Sequence, residues 1–172
     1  MLISEAYKEE QRILHQNPNY GVASVEFAPM VTNIINQSGI TEMIDYGAGK
    51  GRLAESIKPN HEVLICQYDP GVKDLDEPPE PSNGLVACID VLEHIEPDLL
   101  DNVLDDLKRV TLGLGFFSIH TGPAVKVLSD GRNAHLIQEN YMWWLPKLWQ
   151  RFDIINYSQT KHGFHVLVRK WP

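Results

Sequence analysis

The segment Met43-Ile44-Asp45-Tyr46-Gly47-Ala48-Gly49-Lys50-Gly51-Arg52 constrains this chain more than any other. A short apolar stretch runs directly into three glycines at alternate positions. Twenty residues after Gly49, a second apolar stretch, Val63-Leu64-Ile65-Cys66-Gln67-Tyr68, ends at Asp69. A strand, a glycine turn, a helix and a second strand tipped by an acid form a unit suited to a nucleotide-shaped ligand. Glycine allows the tight turn and lets backbone N–H groups approach a ligand with no Cβ between them. The acid at the tip of the second strand is placed to accept hydrogen bonds from a ribose diol.

The details narrow the nucleotide. A dinucleotide fingerprint places its third glycine where this chain has Arg52, and a P-loop needs Gly-Lys-Ser/Thr after four intervening residues. Neither fits. The Asp-x-Gly-x-Gly-x-Gly form resembles motif I of the class I S-adenosylmethionine (SAM) methyltransferases. The run from Gly84 through Asp90, Glu93 and His94 to Pro97 resembles that superfamily's fourth strand and the turn after it.

The resemblance implies a single Rossmann-like α/β domain over residues 1–172: a doubly wound, mostly parallel sheet with an antiparallel strand near the C-terminus. It also implies the cofactor SAM, converted to S-adenosylhomocysteine (SAH). Gly47 and Gly49 would approach its methionine part and Gly51 would pack the turn. Asp69 would hold the ribose, and Asp90 the ammonium. Ala48, Pro70 and Val91, beside these, complete the expected cofactor set. Asp45 is read as a buried acid that braces the glycine loop through backbone N–H groups.

Periodicity supplies the other elements. Two helices are predicted within residues 1–38, over 4–16 and 24–37, the second with Phe27, Met30, Val31, Ile34 and Ile35 on one face. Residues 70–84 hold four prolines and four acids and are read as a loop. The third strand usual in the resembling fold is therefore expected to be shortened or absent. Leu99, Leu100, Val103, Leu104, Leu107 and Val110 predict a helix opened at Pro97, with Asp98, Asp101, Asp105 and Asp106 toward water. A strand at 114–119, a helix from about Gln138 to Gln150 and a hairpin of 152–159 with 163–169 close the chain.

In an open α/β sheet the ligand sits beyond the carboxyl ends of the strands. That rule gathers Asp45–Gly51, Asp69, Asp90–His94 and the stretch after His120. A general base is needed only where the acceptor loses a proton, and His120, His94 and His135 are the candidates, His120 first. The connection 120–135 is too long for a simple linker and is read as an acceptor-side loop. Within it, Arg132 and Asp130 are candidate acceptor contacts, and Tyr20, between the first two helices, is a candidate lid residue. Most of Tyr141, Trp143, Trp144 and Trp149 are expected in the core.

No metal site is expected. His162 and His165 lack a third ligand, and the two cysteines have no metal-binding spacing. Cys66 and Cys88 are read as buried free thiols on strands too far apart for a disulfide.

A net charge of −8 disfavours a long nucleic acid as substrate. No apolar run reaches the ~18 residues of a membrane span, and the acidic N-terminus lacks the pattern of a signal peptide, so a cytoplasmic protein is the default. The function expected is methyl transfer from SAM to a small or nucleotide-sized acceptor. The alternative is a SAM-binding or SAM-cleaving protein without an acceptor. Oligomeric state has no signature in the sequence.

Overall fold

The computed structural model describes residues 1–17 and 21–171. Tyr20 lies outside the described residues. In chain order the elements are α1 (Glu5–Leu14), α2 (Ala23–Ser38), β1 (Glu42–Tyr46), α3 (Arg52–Ser56), β2 (Leu64–Tyr68), β3 (Leu85–Ile89), α4 (Leu100–Val110), β4 (Leu114–His120), α5 (Tyr141–Trp149), β5 (Phe152–Gln159) and β6 (Gly163–Lys170). Their ends carry local signals. Ser4 caps α1 by accepting from the Tyr7 N–H, Gly39 ends α2 in the left-handed region at φ 64°, and Asn140 caps α5. That last cap starts the helix at Tyr141, later than the predicted Gln138.

The six strands form one sheet in the order β2-β1-β3-β4-β6-β5. The first four run parallel, and β6 is antiparallel to both β4 and β5. Among the described residues no strand lies between β2 and β3, so the proline-rich stretch is a loop, as expected, and β2 is an edge.

Side chains alternate along the central strands. Ile44, Tyr46, Val86, Cys88 and Phe117 face α4 and α5, whereas Met43, Leu85, Ala87, Ile89 and Phe116 face α2 and α3. Both faces of the sheet are covered, which is why β3 reads as continuously apolar. Each large apolar side chain buried this way contributes roughly 1.5–3 kcal/mol.

Three expectations about side chains change. Cys88 is buried, but Cys66 is exposed, because the edge strand β2 has only one covered face. Asp106 does not simply face water: its Oδ2 accepts a hydrogen bond from the Tyr46 hydroxyl at 2.8 Å. Met30 is also exposed, and Ala28 takes its place on the buried face of α2.

α1 lies outside the sheet and is tied down from several sides. The Glu96 carboxylate accepts from the Ser4 N–H and hydroxyl at 2.8 and 2.7 Å. Glu10 accepts from the Ser129 N–H and hydroxyl, and Lys8 pairs with Asp76 at 3.6 Å. Tyr7 is buried with Leu128 and Ala134 of the 120–135 connection. α1 thus bridges three loops at the carboxyl edge of the sheet.

Candidate functional site

A cleft opens at the carboxyl ends of β1, β2 and β3, where the strand order reverses. All eight residues expected to hold the cofactor line it: Asp45, Gly47, Ala48, Gly49, Asp69, Pro70, Asp90 and Val91. The glycine loop leaves β1 with Gly47 at φ 79° and Gly49 at φ 53°, a region costly for residues with a Cβ. At Gly47 a Cβ would also overlap the Val91 side chain. The N–H groups of Gly47 and Ala48 donate to the Tyr68 carbonyl at 2.8 and 3.0 Å, tying the loop to the end of β2.

The acids divide their roles differently from the sequence-based reading. Bracing of the loop comes from Asp69, whose Oδ2 accepts from the Gly49 N–H at 2.9 Å while Oδ1 accepts from the Gly71 N–H at 2.8 Å. Asp45, expected to brace, instead borders the cleft, with its buried Oδ2 lacking a hydrogen-bond partner. Burial, with the nearby Asp69 charge adding to it, pushes its carboxyl up to about 7. Asp90 sits at φ 58°, unusual for a residue with a side chain, and its N–H donates to the Ser118 carbonyl and hydroxyl, both at 3.2 Å.

The three candidate bases come together, but only His94 lines the cleft. Its ring centroid is 4.6 Å from that of His135, which is 4.8 Å from that of His120. His94 Nδ1 meets the Ala134 carbonyl at 2.8 Å, and His135 Nδ1 meets the Gly122 carbonyl at 2.7 Å. A carbonyl only accepts, so each Nδ1 carries a proton, and in the neutral ring Nε2 is the acceptor atom. Burial pulls His94 down to about 4 despite the opposing pull of Asp90, and burial also lowers His120, helped by His135. His120 stacks on His162 at 5.6 Å. Beneath the cluster, Glu93 is fully buried. Its Oε1 accepts from the His120 N–H, its Oε2 has no partner, and burial next to Asp90 raises it well above the carboxylate range.

Arg132 and Asp130 bond each other at 2.7 Å on the surface and do not border the cleft. The connection that carries them is ordered by Asn133, which accepts from the Ala124 and His135 N–H groups. Trp144 is in the core, and neither it nor Tyr141, Trp143 or Trp149 borders the cleft.

Sequence reasoning missed the roof. Leu2, Ile3, Tyr7, Gln11 and His15 line the cleft, together with Gly21, Ala23 and Ser24. The His15 ring abuts Gly49, where a Cβ would stand 3.0 Å from its Cε1. Residues 3, 7, 11 and 15 repeat every fourth position, two on α1 and one beyond each end, a signal weakened by the polar residues at 11 and 15.

Among solved structures, the Burkholderia thailandensis 1,6-didemethyltoxoflavin-N1-methyltransferase, with bound 1,6-didemethyltoxoflavin and SAH, matches at a TM-score of 0.69 and 13% identity, covering 97% of this chain and 89% of that one. The fold decides the matter at this level. This chain has the fold of the class I SAM-dependent methyltransferases. The SAH complex of DhpI matches this SAM-methyltransferase fold at 0.61 and 14% identity, covering 99% and 98% of the two chains. The small RNA methyltransferase HEN1 matches at 0.65 and 14%, covering 87% of this chain and 25% of that one. No protein-family model and no curated protein sequence matches the chain.

Proposed function

We propose that this chain is a SAM-dependent methyltransferase acting on a small acceptor. Asp45 carries the reading. A carboxyl that borders a cleft, with one buried oxygen lacking a hydrogen-bond partner and its pKa raised to about 7, is costly unless a ligand compensates it. The cleft holds two more acids, Asp69 and Asp90, and suits a cation. SAM carries an ammonium and a sulfonium, and when bound it supplies an electrophilic methyl group.

The residues present fit that ligand. The backbone of Gly47, Ala48 and Gly49 admits the methionine part without a Cβ in the way. Asp69 keeps one lone pair on each oxygen beyond its two backbone bonds, enough to accept from a ribose diol. Asp45 and Asp90, with Val91 beside them, face the ammonium. α1 roofs the cleft, and these contacts would hold the bound partners in line. His94 is the residue placed to take a proton from an acceptor hydroxyl: it lines the cleft and its Nε2 is unprotonated at neutral pH. His120 and His135 stand behind it. A net charge of −8 goes with a small acceptor and against a polyanionic one.

Calorimetry with SAM and SAH tests the reading. Binding to the native chain that weakens roughly 10- to 100-fold in Asp45→Asn, the loss of one charge-assisted hydrogen bond, supports it. No binding to the native chain overturns it. Incubation with SAM alone separates the alternative, since a SAM-cleaving enzyme consumes SAM and leaves a product other than SAH.

A further inference from the structure

Asp90, His94 and His135 converge on one point. One oxygen or nitrogen from each lies within 4.8 Å of the other two, and His94 Nε2 is 4.0 Å from Asp90 Oδ2. We propose that these three residues bind a divalent transition-metal ion of the zinc class at the inner edge of the cleft, leaving a coordination position open to the acceptor.

The donor set is a carboxylate and two imidazoles, the composition of three-ligand sites that keep a position for water or substrate. Such ligands bind at about 2.0–2.2 Å, so opposed donors lie at most about 4.2 Å apart, and the triad closes on an ion with sub-ångström to ångström movements. The surroundings resemble a support shell. Each imidazole donates Nδ1–H to a backbone carbonyl, Ala134 for His94 and Gly122 for His135, which fixes the ring and leaves Nε2 as the donor atom. Asp90 is held in its left-handed conformation by Ser118. Glu93, fully buried beneath the cluster, keeps an Oε2 with no hydrogen-bond partner. Two imidazoles select against magnesium and calcium, which prefer oxygen.

The inference rests on the methyltransferase reading for its use and names an acceptor class: molecules with a hydroxyl that coordinates the ion. Coordination lowers that hydroxyl's pKa, its proton passes to solvent water, and the resulting oxygen anion attacks the SAM methyl, whose bonding pair leaves with sulfur as SAH departs. The ion makes His94 and Asp90 ligands, so the base role assigned to His94 above is not needed and the ammonium falls to Asp45.

The test titrates the metal-stripped protein with Zn2+ by calorimetry and with Co2+ by visible absorption, without SAM. One equivalent of each bound, with intensified Co2+ bands and no comparable uptake of Mg2+, is expected. His135→Ala and Asp90→Asn should each lower Zn2+ affinity by more than the roughly tenfold typical of a lost supporting contact. His61→Ala, at a half-buried histidine outside the cleft bonded to Asn60 and the Ile40 carbonyl, should leave it unchanged. Circular dichroism shows that the variants are folded, and the native chain's own titration decides should either triad variant fail to fold. No Zn2+ or Co2+ uptake, or uptake equally strong in both folded triad variants, overturns the inference. SAH calorimetry on the same native sample separates the outcomes: SAH binding without metal binding removes this inference alone, and metal binding without SAH binding removes the methyltransferase reading.

Discussion

Asp45 and Asp69 stand at the tips of neighbouring strands in opposite environments, and each environment has a measurable consequence. The Asp45 carboxyl titrates near 7 in the fold against an ordinary 3.8. Below about pH 4 both folded and unfolded chains hold the proton. Between 4 and 7 only the folded chain holds it, so this residue's contribution to stability is lost as pH rises and is flat above 7. The loss is on the order of 4 kcal/mol at most. Asp45→Asn should therefore raise the neutral-pH Tm of the unliganded protein, flatten its slope between pH 4 and 7, and weaken SAH binding. A Tm profile indistinguishable from the native one would refute the unpaired burial of Asp45. Gly47→Ala should cost about 1–3 kcal/mol in urea denaturation, because it adds a Cβ at φ 79° against Val91. Both acids were visible in the sequence, but the division of labour between them was not. It depends on how the chain turns after Pro70 to bring the Gly71 N–H back to Asp69, a matter of local geometry that residue identity does not specify.

At the scale of elements, the least legible piece is α1. Its sequence reads as a polar surface helix, yet it forms the roof of the cleft because Glu96, Ser129 and Asp76 anchor it from three separate loops. Such anchors join residues 68 to 119 positions apart, beyond the reach of periodicity. Glu96→Ala removes both bonds to Ser4. Faster amide exchange in α1 with unchanged protection in β1 and β3 is expected, with SAH affinity lowered severalfold. Equal exchange in α1 with and without the substitution would show that Tyr7 packing and the anchors at Ser129 and Asp76 hold the roof without Glu96. The central strands were legible for the opposite reason. A strand covered on both faces reads as an unbroken apolar run, as Leu85–Ile89 demonstrates. The histidine cluster falls between these cases: His94 follows β3 and His120 ends β4, but His135 arrives through a loop ordered by Asn133, with no spacing rule to announce it.

For the whole molecule, the sheet's asymmetry sets its chemistry toward solvent. β2 is an edge and β3 is central, so the two thiols differ: Cys66 is exposed, whereas burial raises the Cys88 thiol. An aromatic disulfide reagent should titrate one thiol in the native protein and two in urea. Two native thiols would contradict the buried position of Cys88. Among the described residues no helix is long and apolar enough to cross a membrane. The lining of the cleft comes entirely from residues between Leu2 and Val103, and the last third of the chain supplies support from behind together with His120 and His135. On the reading proposed above, the scaffold is modular. The segment after Ile119 can change its acceptor chemistry by substitution or insertion while the stretch before it keeps hold of the same nucleotide.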